Sequence, residues 1–194
     1  MSGWPSFIYN PIELGLYDFV YPVEILRNEA RIETSFETLN GDSPNRKLIE
    51  EGQGERLTKI RFGRDEVCFV AKHEGHVVSY IWGSRGKVDV EEIMMSVDIA
   101  PTDIYLYDAF TIEPFRGQNL YPSVLQRALE FGGKLDLVRS IIFVEARNMP
   151  SIRGVTKAGF TLFQKLLMTT VLGFGTPRLQ PPLDGHESAV FVPL

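Results

Sequence analysis

The sequence predicts a mixed α/β fold, and three segments carry that prediction. A hairpin pattern covers Glu66–Lys72 and His76–Gly83, with Glu74-Gly75 at its turn. A long run of β-branched and aromatic residues follows at Ile104–Ile112. From Leu120 to Leu135 the apolar residues recur at helical spacing. A hairpin, a long strand and then a helix indicate a mixed sheet and not a doubly wound one.

The segments before the hairpin are predicted to be mostly helical. Met1–Val20 is an arm rich in aromatic residues, with a first strand near Leu16–Tyr21. Apolar residues at loosely helical spacing predict a helix over Val23–Leu39, and a second short helix is expected through Lys47–Glu51. Gly52 and Gly54 then begin a polar connection to the hairpin.

The C-terminal part alternates strands with one more helix. Ser140–Ala146 reads as a strand, and Asn148 and Gly159 are suited to the N-cap and C-cap of the helix between them. Two last strands are predicted at Phe160–Val171 and Ser188–Val192. The Gly- and Pro-rich segment from Gly173 to Gly185 separates them as a loop, and Gly83–Asp103 is expected to be a polar connection.

Composition favours a single globular domain over residues 1–194. The formal charge of -5 and the lack of a long basic run argue against nucleic acid as a partner. Cys68 is the single cysteine, which fits a reducing cytoplasm, and its apolar neighbours indicate a buried side chain and not a nucleophile. No run is apolar for long enough to span a membrane. His73 and His76 flank the hairpin turn, but nothing near them in sequence completes a metal site, so no metal is expected.

The turn between the long strand and the following helix is a candidate anion site. It runs from Glu113 to Asn119, and it contains Arg116 and Gly117. The first N–H groups of a helix have no partner within the helix, and the helix dipole places partial positive charge beside them. Arg116 adds a full charge, and Gly117 permits an unusual backbone angle. A pyrophosphate fits such a turn.

The order of motifs from Tyr105 to Phe160 resembles the coenzyme A-binding half of the GNAT superfamily of N-acetyltransferases. The matching residues follow in chain order: Ile112-Glu113-Pro114, Arg116-Gly117-Gln118-Asn119-Leu120-Tyr121, the helix to Leu135, the strand Ile141–Glu145, Asn148, Ser151, and Lys157-Ala158-Gly159-Phe160. The hairpin Val67–Gly83 also looks like the second and third strands of that family. The resemblance implies a mostly antiparallel central sheet with helices on both faces.

The resemblance also implies a division of the chain and a set of ligand contacts. Residues 1–64 would form the arm and the acceptor side, 65–171 the coenzyme A-binding core, and 172–194 a C-terminal loop and strand. Main-chain groups of Phe110, Thr111 and Ile112 would hold the thioester and the pantetheine arm, and Asn148 would bond to that arm. The pyrophosphate would lie against residues of the turn and the helix start: Arg116, Gly117, Gln118, Asn119, Leu120 and Tyr121.

Three positions depart from the family pattern. Asn119 and Tyr121 stand where the family usually has small residues, and Tyr121 is bulky enough to narrow the site. Asn tolerates left-handed backbone angles better than most residues do. Many members have a tyrosine as general acid seven residues after the asparagine, and here that position is Val155.

Two carboxylates are candidates to accept the proton of the amine. Asp108 lies two residues before Phe110 on the same strand, and Glu145 lies on the neighbouring strand. Either could serve as a general base, or could instead make a structural hydrogen bond. Tyr107 is a candidate acid, although strand alternation predicts that it points away from Asp108.

These observations predict an N-acyltransferase that moves an acyl group from acyl-CoA, with acetyl-CoA as the first choice, to an amine on a small molecule or a peptide. One alternative is a long-chain acyltransferase that uses acyl-CoA or an acyl carrier protein. Another is a domain that binds acyl-CoA without catalysis. The aromatic residues of the arm, among them Trp4 and Phe7, are candidates for core packing, a substrate pocket or a homodimer contact.

Overall fold

The computed structural model describes residues 9–90, 95–171, 174–183 and 190–193. Eight strands form one large sheet, in the order β10-β9-β1-β8-β7-β4-β3-β2. Their bounds are β1 Tyr9–Val20, β2 Ser35–Leu39, β3 Val67–His73, β4 His76–Ser84, β7 Asp103–Thr111, β8 Arg139–Glu145, β9 Thr161–Val171 and β10 Phe174–Leu179. Within this sheet only β7 and β8 are parallel neighbours, which confirms the mostly antiparallel arrangement.

A smaller sheet of three short strands lies beside the large one. It consists of β5 Val88–Val90, β6 Met95–Asp98 and β11 Val190–Pro193, in the order β11-β6-β5. Four α-helices are described: α1 Glu50–Gln53, α2 Glu55–Phe62, α3 Leu120–Lys134 and α4 Met149–Lys157. Two short 3-10 helices cover Arg46–Ile49 and Glu113–Phe115, and the first of them leads into α1 where the short helix Lys47–Glu51 was predicted. The predicted hairpin, long strand, long helix, following strand and last helix are therefore confirmed within a residue or two of their bounds.

The predicted helix over Val23–Leu39 is wrong. Residues 24–34 are an extended arm, and Ser35–Leu39 is a strand that pairs with β3. The backbone of the arm bonds to the segment before α3, because Arg31 N donates to Gln118 O at 2.9 Å. Of the apolar residues whose spacing predicted the helix, Leu26 is exposed, whereas Ile25, Ile32 and Phe36 pack against the core from a chain that is not helical. Tertiary hydrogen bonds replaced those that a helix would have made.

Three further predictions were incomplete. The polar connection after Gly52 contains the helix α2, whose two buried residues, Thr58 and Phe62, give no apolar stripe for sequence reasoning to find. The Gly- and Pro-rich loop contains strand β10, and β1 is much longer than the predicted strand near Leu16–Tyr21. Trp4, Phe7 and Ser188 lie outside the described residues.

The two faces of the large sheet are covered differently. Helices α3 and α4 lie on one face, over a core that includes Phe69, Leu106 and Val144. On the other face the small sheet packs over Leu16 and Tyr105, and the α1–α2 segment packs over Cys68 and other buried residues. Helices therefore cover both faces, as predicted, although the small sheet shares the second one.

Candidate active site

The parallel strands β7 and β8 separate partway along their length. They pair from Asp103↔Arg139 to Leu106↔Ile142, and among the described residues no later pair joins them. Both strands continue beyond that point, β7 to Thr111 and β8 to Glu145. The end of β7 is also solvent-exposed, with Phe110 46% exposed and Ile112 37% exposed. A gap therefore opens in the centre of the sheet and leaves one edge of β7 free to bond to an extended ligand.

A β-bulge lies where the gap begins. Trp82 pairs with Tyr107 and Tyr80 pairs with Phe110, so two residues of β7, Asp108 and Ala109, stand opposite one residue of β4. Asp108 adopts the left-handed backbone conformation, with φ +48°. Aspartate tolerates this region better than most non-glycine residues do. A bulge of this kind turns side chains away from simple alternation.

The three strand residues predicted to hold the acyl arm do not present their main-chain groups in the same direction. Ile112 N donates to Val78 O at 3.0 Å, and Phe110 O accepts from the Ser79 hydroxyl at 3.1 Å, so both bond toward β4. Because main-chain groups alternate along an antiparallel strand, those of Thr111 are directed into the gap. Arg116 Nε donates to Thr111 O at 3.2 Å, on that open side.

The turn before α3 is held open by two residues with positive φ. Gly117 has φ +81°, and an added Cβ there would meet no atom within 4 Å. Asn119 is the N-cap of α3 with φ +61°, and its side chain makes no capping hydrogen bond. Leu120 and Tyr121 therefore begin the helix without a cap from Asn119, whereas Pro122 has no N–H to offer.

The 24–34 segment and α4 bring two positively charged side chains to this turn, and the sequence alone did not reveal either contact. Arg31 Nη1 donates to Gly117 O at 3.3 Å, and Lys157 Nζ donates to Asn119 Oδ1 at 2.7 Å. Asn119 Nδ2 also donates to Glu29 O at 2.6 Å, so its amide ties the arm to α4. With Arg116, the turn has three positive side chains around it, which favours an anion there.

Tyr121 is directed away from the turn and packs against α4. A Cβ added at Gly154 would lie 2.4 Å from Tyr121 Cδ1, so the ring occupies space that a side chain at residue 154 would need. The Tyr121 hydroxyl lies 3.3 Å from the Ser151 hydroxyl, and burial raises the pKa of Tyr121 to about 12. The Tyr121 ring therefore lies between the starts of α3 and α4. Val155 is fully buried in the core beside these residues.

Asn148 caps α4, as predicted. Its Oδ1 accepts from Ser151 N at 3.2 Å, while the residue itself is exposed. The cap occupies the carbonyl oxygen of the amide. The amide nitrogen keeps two donors with which it could bond to a ligand in the gap.

The carboxylate of Asp108 is held through one of its two oxygens. Arg61 Nη1 lies 2.6 Å from Asp108 Oδ2, and Gln53 Nε2 donates to the same oxygen at 2.8 Å. The hydrogen bonds found for Asp108 among the described residues all go to Oδ2. Its side chain is 35% exposed. Within the described part of the chain, Asp108 Oδ1 therefore accepts no hydrogen bond.

The prediction that Tyr107 points away from Asp108 is wrong. Because of the bulge, both side chains contact Arg61, whose guanidinium carbon lies 5.1 Å from the centre of the Tyr107 ring. The Tyr107 hydroxyl donates to Glu66, which is buried. Burial and this bond raise the pKa of Tyr107, and burial raises the pKa of Glu66. Tyr107 therefore keeps its proton and directs it at Glu66.

Glu145 has different neighbours. Its backbone pairs with Leu14 of β1, and its side chain forms an ion pair with Arg147. It lies on the rim of a surface pocket of about 350 Å³, whose lining includes Ile12, Glu13 and Met168. The structure therefore does not join Asp108 and Glu145 through a common hydrogen-bond partner within the described residues.

Other candidate residues have structural surroundings. Cys68 is fully buried, and burial raises the pKa of its thiol well above the ordinary value, as expected for a core residue. His73 Nδ1 lies 2.7 Å from Glu33 O, and the ring packs against Phe115. The part of the chain that the structure describes contains no group of side chains suited to a metal. Within that same part, every helix is too short or too polar to cross a bilayer.

The mixed sheet opens between two parallel strands, beside a helix start with three positively charged side chains near it. This is the arrangement expected of the acyl-CoA N-acyltransferase class of folds. The family model described as Acetyltransferase (GNAT) family matches residues 31–160. The chain therefore belongs to the GNAT acetyltransferase family, a family of enzymes. The match begins in the arm, well before the hairpin at which the sequence resemblance began.

Solved structures agree on the fold. A GCN5-related N-acetyltransferase from Sphaerobacter thermophilus is 14% identical with a TM-score of 0.62, over 86% of this chain and 54% of that one. A putative GNAT acetyltransferase from Novosphingobium aromaticivorans is 13% identical with a TM-score of 0.56, over 83% and 64%. The chain thus spans about half to two thirds of those two proteins.

A smaller protein also matches. The structure of AAC(6')-Iy in complex with the bisubstrate analogue CoA-S-monomethyl-acetylneamine is 14% identical with a TM-score of 0.51, over 67% of this chain and 92% of that one. A comparison with curated proteins gave no match.

Proposed function

We propose that this protein transfers an acyl group, with acetyl as the first choice, from acyl-CoA to a primary amine by direct attack. The observation that carries the proposal is the gap between β7 and β8, which leaves the edge of β7 open from the bulge to the turn before α3. The membership of the family supports the donor. The acceptor of AAC(6')-Iy, joined to coenzyme A in its bisubstrate analogue, supports an amine.

The residues present fit an acyl-CoA at this gap. Thr111 offers main-chain groups to the pantetheine arm, flanked by Phe110 and Ile112, and the Asn148 amide nitrogen lies at the start of α4. The pyrophosphate would lie at the turn, against the main chain of Gly117 to Tyr121 and beside Arg116. No side chain at Gly117 closes the turn, and the Tyr121 ring is directed away from it.

Asp108 is the proposed proton acceptor, because it lies in the bulge at which the gap begins and its Oδ1 accepts no hydrogen bond from the described residues. An amine in water arrives as an ammonium, and Asp108 Oδ1 takes one proton from it. The neutral nitrogen then attacks the thioester carbonyl carbon, forming the C–N bond and breaking the C–S bond. The leaving thiolate takes the second proton of the nitrogen, so no separate acid is needed at Val155. Glu145, on the rim of the neighbouring pocket, is the second candidate.

The test combines binding and turnover. Calorimetry with coenzyme A should show binding, and a panel of primary amines should include at least one that is acetylated. Replacing acetyl-CoA with a long-chain acyl-CoA or an acyl carrier protein separates the first alternative, which predicts faster turnover with the longer donor. Binding without turnover on any amine or donor supports a non-catalytic domain. The absence of binding would overturn the assignment of the gap.

Three features remain part of the proposal. The acceptor is a small-molecule or peptide amine, the location is the cytoplasm, and a homodimer is one arrangement to test. The apparent mass from light scattering, measured with and without coenzyme A, addresses the last of these.

A further inference from the structure

Gln53 is the centre of a polar network under the bulge of β7. Its Oε1 accepts from Arg61 Nη1 at 2.5 Å and from Trp82 Nε1 at 2.8 Å. Its Nε2 donates to the Tyr80 hydroxyl at 2.6 Å and to Asp108 Oδ2 at 2.8 Å. An amide has two donors and one acceptor oxygen with two lone pairs, so the hydrogen-bonding capacity of Gln53 is fully used.

Arg61 is fixed just as firmly. Its guanidinium carbon lies 4.9 Å from the centre of the Trp82 ring and 5.1 Å from that of Tyr107. Its side chain is only 12% exposed, and it donates to both Gln53 and Asp108. A planar guanidinium that stacks on rings and donates in fixed directions has little freedom to move.

The network holds the Asp108 carboxylate asymmetrically, because both of its hydrogen bonds to Asp108 go to Oδ2. Oδ1 is left without a hydrogen bond from the described residues, and Asp108 itself lies in the left-handed bulge at which the gap begins. A carboxylate anchored through one oxygen can rotate little about its terminal bond. The free oxygen is therefore held at one point relative to the edge of β7.

We infer that Gln53 and Arg61 are positioning residues that hold the free oxygen of Asp108 where the acceptor amine binds. This inference rests on the proposed function of Asp108. It assigns to the α1–α2 segment a role beyond covering the sheet, since the last residue of α1 and the next-to-last residue of α2 are the two anchors. Removing either anchor leaves the carboxylate present but free to turn, and a misplacement of about 1 Å can cost about 100-fold in rate.

The test uses Gln53→Met, which keeps the side-chain length, and Arg61→Met, which keeps only the aliphatic part of the side chain. Both variants lose the hydrogen bonds to Asp108. Lys59→Met is the matched control, because Lys59 lies on the same helix as Arg61 and, among the described residues, forms its ion pair with the exposed Glu55. The two network variants should lower kcat by roughly 10- to 100-fold. The KM for acyl-CoA and the coenzyme A affinity should not change, and Lys59→Met should match the wild type. Arg61→Lys should recover part of kcat.

A double variant separates positioning from general structural damage. Combined with Asp108→Asn, Gln53→Met should lower kcat little further, because both changes disable the same group. An equal further loss in the Asp108→Asn background would overturn the inference, as would a folded Gln53→Met protein with unchanged kcat. Circular dichroism and thermal unfolding establish that each variant is folded.

If the wild type acylates no amine, the proposed function fails and the anchoring is tested by itself. Crystal structures of Gln53→Met and Lys59→Met then give the answer. A changed or disordered Asp108 carboxylate in the first, with the native position in the second, supports anchoring. An unchanged carboxylate in both overturns it.

Discussion

The two ends of the gap offer a ligand different kinds of contact. At the turn before α3 the candidate contacts are main-chain groups, with Gly117 and Asn119 in left-handed conformations and cations around them. At the bulge the candidate contact is one carboxylate oxygen, held by the side chains of Gln53 and Arg61. A main-chain site survives a change of side chain provided that the backbone path is kept. A side-chain network does not, because each member leaves a polar partner unsatisfied when it is lost.

The turn before α3 tolerates changes of side chain, as the two residues that depart from the family pattern there show. Asn119 keeps the left-handed angle without a glycine, and Tyr121 is accommodated because residue 154 is glycine. Neither departure closes the turn. The carboxylate end has no such spare room, because Gln53 and Arg61 bond to each other as well as to Asp108.

The largest effect is expected at the carboxylate. Asp108→Asn should lower kcat by about 100- to 10,000-fold, the range of a lost general base. Asparagine also tolerates the left-handed backbone, so the bulge should persist. Steady-state kinetics with saturating acetyl-CoA gives kcat. Glu145→Gln is the control, and a larger loss there than in Asp108→Asn would exchange the roles of the two carboxylates.

Arg116→Ala should weaken coenzyme A binding by about 1–3 kcal/mol, the contribution of a charge-assisted contact. The kcat at saturating donor should change little, because Arg116 lies at the far end of the gap from Asp108. Isothermal calorimetry measures the affinity. Arg27→Ala is a suitable control, since Arg27 is exposed and pairs with Glu29. Equal affinities of Arg116→Ala and the wild type would show that the turn does not bind the phosphates.

Gly154→Ala should lower the free energy of unfolding by about 1–2 kcal/mol. The added methyl group collides with the Tyr121 ring, and overpacking of this kind exceeds the small gain in helix propensity. In a Tyr121→Ala background the sign should reverse, with a gain of about 0.5–1 kcal/mol. Urea unfolding of the four proteins gives both values. A loss of the same size in both backgrounds would mean that Tyr121 is not the obstacle.

The smallest effects are expected at Asn148, where two roles can be separated. Asn148→Ser should keep the helix cap and lose the amide donors, whereas Asn148→Ala should lose both. Coenzyme A affinity should fall by about 0.5–1.5 kcal/mol in both variants, but stability should fall by about 1 kcal/mol only in Asn148→Ala. Calorimetry and urea unfolding measure the two quantities. If Asn148→Ser binds coenzyme A as tightly as the wild type does, Asn148 acts only as the cap of α4.

Sequence reasoning predicted the donor side of the fold better than the acceptor side. The strand β7, the turn and α3 have strong local patterns, because apolar residues repeat at the period of the structure that buries them. The bulge has no such pattern, since an inserted residue is visible only when Tyr80 and Trp82 are paired with β7. That is why strand alternation predicted opposite directions for Tyr107 and Asp108.

The anchors of Asp108 were missed for a related reason. Gln53 ends a helix of four residues, and Arg61 lies on a helix whose Leu57 and Ile60 are about 40% exposed. Neither helix has the apolar stripe that marks a buried face in a sequence. Their contacts with β4 and β7 join residues more than 25 positions apart, and no local pattern encodes such pairings. Arg31 and Lys157 were missed in the same way, because each meets the turn from a distant segment.

The bulge in β7 also has a consequence for the spacing of the chain. In a regular strand, each residue added or removed exchanges the two sides for all the residues that follow it. The bulge absorbs one extra residue without such an exchange, because Trp82 and Tyr80 lie two positions apart on β4 whereas their partners Tyr107 and Phe110 lie three positions apart on β7. Deleting Ala109 would keep Phe110 paired with Tyr80 but would remove the left-handed bend in which Asp108 lies. The number of residues between Tyr107 and Thr111 is therefore as much a part of the site as their identities.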